Sequence, residues 1–111
     1  MKNALINAIL SQTFKTAETV IINGVQCYVR QATIASQKEI EKIDHKKPQG
    51  QLKIIASILC DENGALIFDK DNSEDLSILE NLTAETIAKI CDDYAVFNGF
   101  RQPETEKEKK Q

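Results

Sequence analysis

Two β-rich runs joined by Asn23-Gly24 constrain the fold of this chain more than any other feature of its sequence. The dipeptide accepts positive φ at both central positions of a type I′ turn, the connection that tight hairpins favour. The pattern therefore predicts an antiparallel β-hairpin over residues 18–30. Because side chains alternate along a strand, Val25, Cys27 and Val29 should share one face.

Apolar residues at helical spacing predict a short amphipathic helix or a frayed terminus over residues 3–12, and a longer helix near the carboxyl end. Thr83 should cap that last helix. Its apolar stripe contains Ile87, Ile90, Cys91, Tyr94 and Phe97. Asn98-Gly99 should end the helix, and Phe100 should fold back on its last turn. The stripe needs an apolar partner, so we expect this helix to pack on the hairpin.

A second helix is predicted after the hairpin. Ser36 as N-cap and Glu39 three residues later form a capping box, with a hydrophobic staple between Ala35 and Ile40. The helix should run to about Lys46. The proline and glycine in His45–Gln51 indicate a mobile loop after it.

The middle of the chain leaves alternatives open. Leu52–Cys60 is apolar on both faces, which fits a buried helix or a central strand. The turn signal at Asp61–Gly64 and the apolar run Ala65–Phe68 favour a strand, a tight turn and a return strand. Asp69–Asp75 should form an acidic turn. Ser73 or Asp75 would then cap a short helix that contains Leu76, Leu79 and Leu82.

These elements predict an α+β fold: a small single domain in which one or more antiparallel β-hairpins pack against three to four short helices. The length of 111 residues fits one domain. We expect residues 1–100 to form it. Residues 101–111 contain no apolar side chain and should be a disordered charged tail.

No residue pattern in the chain predicts catalysis. The three cysteines, Cys27, Cys60 and Cys91, are widely spaced and lie in apolar elements, so we interpret them as packing residues in a reducing cytoplasm. His45 has no catalytic partner in any motif and should be a solvated surface residue. We therefore expect no enzyme activity, no catalytic residue and no cofactor.

The acidic run that starts at Asp69 has part of the spacing of a calcium-binding loop. Counting Asp69 as position one places Glu74 at position six, where the sharp turn of such a loop needs glycine. A solvated acidic loop is the better interpretation, and we expect no metal site.

Opposite charges are segregated along the chain. Residues 1–60 carry eight Lys/Arg and four Asp/Glu, a net +4, whereas residues 61–100 carry two and ten, a net −8. This balance gives no dominant basic face, so nucleic-acid binding is not expected. Two solvated faces of opposite sign are the better interpretation of this asymmetry, and the alternative is pairing within the fold or salt-sensitive self-association. No secretory signal or membrane-spanning segment is predicted.

Three short motifs, in this order, carry a family resemblance over roughly residues 14–100. Val29-Arg30 followed by Ala32-Thr33 resembles a "V-R-x-L-T" entry into a helix, and Asp61–Gly64 with Phe68 resembles "D-E-x-G-x-x-L-F". The ending Asn98-Gly99-Phe100 resembles "N-G-L". The chain thereby resembles the tail assembly chaperones of long-tailed, siphovirus-type bacteriophages.

The resemblance implies a non-catalytic protein of the host cytoplasm that is absent from the mature virion. It would bind the tape-measure protein, keep its apolar helices from aggregating, and recruit the major tail protein. Tyr94, Phe97 and Phe100, or the N-terminal helix, would supply the apolar binding surface. The alternative is a small bacterial or prophage adaptor, a protein-binding module with one defined partner.

Overall fold

Residues 1–102 are described by the computed structural model, in which a three-stranded antiparallel sheet of order β1-β2-β3 packs against helices. The described elements, in chain order, are α1 (Lys2–Ser11), β1 (Thr16–Ile22), β2 (Val25–Arg30), α2 (Ile34–Glu41), α3 (Pro48–Ile58), β3 (Leu59–Cys60), α4 (Ser73–Leu79) and α5 (Ala84–Phe97). The predicted α+β fold is confirmed, with five helices rather than three to four. The tail expected over residues 101–111 lies outside the described residues from position 103 onward.

The predicted hairpin is confirmed. Strands β1 and β2 pair antiparallel, and Ile22 lies opposite Val25 across the two-residue turn. Asn23 and Gly24 adopt φ of 48° and 84°, the positive values that the type I′ turn requires. Cys27 and Val29 are buried on one face as expected, whereas Val25 lies near the tip and is exposed.

Helix α5 packs along the hairpin, as its apolar stripe predicted. The Thr19 hydroxyl of β1 donates to Asp93 Oδ2 at 2.7 Å. At the carboxyl end of the helix, Asn98 Oδ1 accepts from the Ala32 backbone N–H at 2.7 Å. Asn98 Nδ2 donates to the Arg30 carbonyl at 3.3 Å. These bonds fix α5 with its last turn beside the start of β1, because Thr16 pairs with Arg30.

One apolar core holds the sheet and four of the helices together. Its largest fully buried side chains are Val29, Ile55, Ile58, Cys60, Leu79 and Ile90. They come from β2, α3, β3, α4 and α5, while α2 contributes the half-buried Ile40. Helix α1 contributes no buried residue.

The start of α2 was predicted wrongly. Thr33, not Ser36, is the N-cap, and its hydroxyl accepts from the Ser36 backbone N–H at 3.0 Å. Ser36 occupies the third helical position and completes the capping box from there. The helix ends at Glu41 rather than near Lys46.

The strand favoured over residues 52–60 is also wrong. Pro48 begins α3 at its first helical position, where a missing N–H costs nothing, so the predicted loop ends at Lys47, four residues earlier than Gln51. Only Leu59–Cys60 form a strand, which pairs with β2 through Val29 and Tyr28. The turn at Asp61–Gly64 is present, with the Gly64 N–H donating to the Asp61 carbonyl at 3.0 Å. The expected return strand is reduced to one bridge between Cys60 and Leu66.

Candidate functional site

The carboxyl end of α5 presents an exposed aromatic side chain. Gly99 adopts φ of 77°. The Phe100 N–H then donates to the Ala95 carbonyl at 2.8 Å, and the Gly99 N–H donates to the Val96 carbonyl at 3.1 Å. This pair of bonds is a Schellman motif, which fixes the chain after the helix. Phe100 therefore folds back as the sequence predicted, while 55% of it remains exposed.

Phe100 lies beside a second exposed apolar side chain. Ile34, the first residue of α2, is 79% exposed, and both side chains line a shallow groove of about 380 Å³. The remaining lining residues are Ala32, Thr33, Gln37, Lys38 and Glu41. We call Ile34, Phe100 and this groove the Phe100 patch. Ile34 was not predicted as a site residue from the sequence. The available signal was an apolar side chain at the first helical position, directly after the N-cap Thr33.

The three aromatic residues predicted to bind a partner differ in exposure. Tyr94 is 8% exposed, and its hydroxyl donates to Gln37 Oε1 at 2.6 Å. Its ring meets the Phe100 ring edge-on with 6.2 Å between centroids. Phe97 is half-buried and packs against the core. Tyr94 thus supports Phe100 from behind, and Phe100 offers the accessible surface.

Helix α1 forms a second apolar surface. Every residue of the helix is exposed. The apolar side chains Leu5, Ile6, Ile9 and Leu10 form one stripe, with 41–80% of each exposed. Phe14 anchors the chain after the helix, since the Arg30 guanidinium lies 5.1 Å from the centre of its ring.

A third candidate is a groove of about 410 Å³ between α3 and α5, which we call the α3–α5 groove. Ile54 and Ile87 line it together with the small side chains Ala84, Ala88 and Cys91. His45, the residue predicted to be solvated, is exposed and also lines the groove, as does Gln51. Small residues on exposed helix faces let another apolar element approach closely.

A charged groove of similar size lies between α2 and the start of α3. Lys42, Lys47, Lys53 and Lys70 line it with Glu39, Ile43, Asp44, Gln49, Gly50 and Asp71. Lys42 pairs with Glu39 at 3.1 Å, and Lys70 pairs with Asp71 at 3.0 Å. Two of its lysines are thus held by carboxylates of the same groove.

The acidic run after Phe68 builds a helix cap. Asn72 is the N-cap of α4, a correction to the predicted Ser73 or Asp75, and its Oδ1 accepts from the N–H groups of Glu74 and Asp75. Asp69 Oδ1 accepts from the Asp71 N–H at 2.8 Å. Asp75 Oδ2 accepts from the Asp69 N–H, also at 2.8 Å. Within residues 1–102, no group of three His, Cys, Asp or Glu side chains could hold a metal ion.

The cysteines lie apart in the core. Cys27 and Cys60 are buried, Cys91 is half-buried, and all three are free thiols. Burial raises the pKa of each thiol, that of Cys60 to about 11 from 9.0. A raised pKa disfavours the thiolate, which is the nucleophilic form.

The raised pKa of Cys60 predicts a loss of stability at high pH. Between pH 9 and 11 the folded state holds a proton on this thiol that the unfolded state releases, so the free energy of unfolding should fall as the pH rises through this window. Urea melts at several pH values should show a smaller decline for Cys60→Ala than for the wild type. Equal slopes for the two proteins would contradict the burial of a protonated thiol.

The described helices include none that is long and apolar enough to cross a membrane. Comparisons with protein-family models, with curated proteins and with solved structures found no match to this chain. The candidate surfaces are therefore defined by their geometry: the Phe100 patch, the exposed apolar stripe of α1, the α3–α5 groove and the charged groove.

Proposed function

We propose that this protein is a phage tail assembly chaperone that binds the tape-measure protein, recruits the major tail protein and catalyses no reaction. The main observation that supports this function is the Phe100 patch, in which a fixed backbone presents a half-exposed aromatic ring beside Ile34. Aromatic anchors held in place before binding contribute strongly to protein recognition. The motif order of the sequence adds the family resemblance.

The ligand proposed for the Phe100 patch is an apolar helical segment of the tape-measure protein. The Phe100 patch has an apolar floor and the charged Lys38 and Glu41 among its lining residues. A patch of this size gives weak binding by one copy. Several copies bound along one long partner would give a higher overall avidity. Such a protein acts in the host cytoplasm and leaves before the virion is complete.

The proposal predicts that Ile34→Ala/Phe100→Ala lowers affinity for the tape-measure protein by roughly tenfold or more. The test is co-expression with the tape-measure protein of the same phage, measuring its soluble fraction and its co-purification. Ile78→Ala, which truncates an exposed isoleucine of α4, is the matched control and should bind as the wild type does.

Two results would overturn this proposal. One is undiminished solubilisation by the double variant. The other is a gene neighbourhood without a very long helical reading frame, which would favour the alternative of an adaptor with one defined partner. Because both altered side chains are exposed, an unchanged thermal melt should accompany the loss of binding.

A further inference from the structure

Glycine follows asparagine at three places in the chain: Asn23-Gly24, Asn63-Gly64 and Asn98-Gly99. At such a dipeptide the main-chain nitrogen of the glycine can attack the side-chain carbonyl carbon of the asparagine, because glycine has no Cβ that obstructs the approach. The three dipeptides have different surroundings in the folded protein, which should make them differ in this reactivity.

The dipeptide Asn23-Gly24 lies at the tip of the hairpin and is unrestrained there. Both residues are exposed, and a Cβ added to Gly24 would meet no atom within 4 Å beyond its chain neighbours. Among the described residues, neither the Asn23 side chain nor the Gly24 N–H makes a hydrogen bond. The attacking nitrogen and the carbonyl group that it attacks are therefore both free.

The hairpin turn also has the backbone geometry that the reaction needs. The five-membered succinimide ring holds ψ of the asparagine at about −120°, the value of the first central residue in a type II′ turn. Type II′ shares the positive φ of type I′ at that residue, and Asn23 has a φ of 48°. Rotating the one peptide unit between Asn23 and Gly24 converts type I′ into type II′, and glycine accepts either sign of φ. The ring can thus form while β1 and β2 stay paired.

Hydrogen bonds restrain the other two dipeptides. Gly64 is buried, and its N–H donates to the Asp61 carbonyl at 3.0 Å. The Gly99 N–H donates to the Val96 carbonyl at 3.1 Å within the Schellman motif. The Asn98 side-chain amide makes three further hydrogen bonds with main-chain groups. Ring closure at either position has to break such bonds, which raises its activation barrier.

We propose that Asn23 is a site of spontaneous deamidation, from which the fold protects Asn63 and Asn98. The Gly24 nitrogen forms a bond to Asn23 Cγ, the Cγ–Nδ2 bond breaks, and Nδ2 leaves as ammonia with the proton that the Gly24 nitrogen loses. Water then opens the succinimide at either carbonyl carbon and leaves an aspartyl or an isoaspartyl residue at position 23. The inference does not rest on the proposed function.

The modification changes the hairpin tip in two ways. Both products carry a carboxylate beside the exposed apolar side chains of Ile21, Ile22 and Val25. The isoaspartyl product also lengthens the main chain of the turn by one methylene group, so the connection between Ile22 and Val25 departs from type I′ geometry. Because the reaction needs no enzyme, the acidic form should accumulate as the folded protein ages.

Peptide mass spectrometry tests the order of reactivity. Trypsin cleaves after lysine and arginine, which places the three asparagines in separate peptides, 16–30, 54–70 and 90–101. The folded full-length protein is incubated in mildly alkaline buffer, and an unincubated sample corrects for deamidation during digestion. Asn23 should deamidate at least about tenfold faster than Asn63 or Asn98, since no hydrogen bond has to break. Chromatography should resolve an aspartyl and an isoaspartyl product of equal mass, whereas direct hydrolysis of the amide gives the aspartyl product alone.

Two controls separate the effect of the fold from that of the dipeptide sequence. In urea, where the chain is unfolded, the three rates should become similar. Asn23→Gly keeps a residue that accepts positive φ, so the hairpin should form, while the acidic species that isoelectric focusing detects in incubated wild type should be lost. A rate at Asn63 or Asn98 within about tenfold of that at Asn23 in the folded protein would overturn the proposal. An Asn23 amide that stays intact in the folded protein while the unfolded chain reacts would overturn it as well.

Discussion

Ile90→Asp is expected to unfold the domain or leave it severely destabilised. Ile90 is completely buried in α5 and belongs to the core that joins that helix to β2, α3 and α4. A carboxylate there has no partner, and burying it costs several kcal/mol even after its pKa shifts. Small domains have a total stability of about 5–15 kcal/mol, so this one change consumes much of it.

A graded series makes the test independent of the charge. Ile90→Val should cost about 0.5–1.5 kcal/mol and Ile90→Ala about 2–5 kcal/mol, measured by urea denaturation. Ala88→Asp introduces the same carboxylate at an exposed position two residues earlier in the helix and should cost far less. A thermal melt of Ile90→Asp that coincides with the wild-type curve would show that the stripe of α5 is not the core.

Sequence reasoning succeeded where a local signal sets the structure. Asn23-Gly24 determines the hairpin turn by itself, because few other dipeptides accept two successive positive φ angles. Local signals also set the two ends of α5. The Thr83 hydroxyl accepts from the Thr86 N–H at the start of the helix, and Gly99 adopts a positive φ just after its end. The packing of α5 on the hairpin followed from its apolar stripe, which needed an apolar partner.

Prediction from the sequence failed where tertiary contacts decide between local alternatives. The apolar residues Leu52, Ile55 and Ile58 fit a buried helix as well as a strand, and the core selected the helix. The exposed pair Ile34 and Phe100 is 66 residues apart in the sequence and adjacent only in the fold. Of the aromatic surface expected at the carboxyl end of α5, Phe100 is exposed, whereas Tyr94 is turned into the core.

The error at residues 45–51 has a specific structural cause. Proline and glycine together usually indicate a loop, yet Pro48 opens α3 and Gly50 is buried in its first turn. Gly50 is there because the backbone passes directly over it: a Cβ at this position would overlap the Asp44 carbonyl oxygen and lie 2.9 Å from the carbonyl carbon. The glycine thus permits the close turn between α2 and α3.

Gly50→Ala is accordingly expected to destabilise the protein, against the usual effect of this change in a helix. Alanine normally stabilises a helical position relative to glycine by roughly 0.5–1 kcal/mol. Here the obstructing atoms are backbone, which cannot move aside as a flexible side chain would, and overpacking of this kind costs about 1–3 kcal/mol. The loss from overlap should exceed the gain in propensity, lowering the denaturation midpoint. Gln49→Ala, at the preceding exposed position, should leave it within about 0.5 kcal/mol of wild type. A higher midpoint for Gly50→Ala would show that the turn at Asp44 can open, and that propensity alone governs the start of α3.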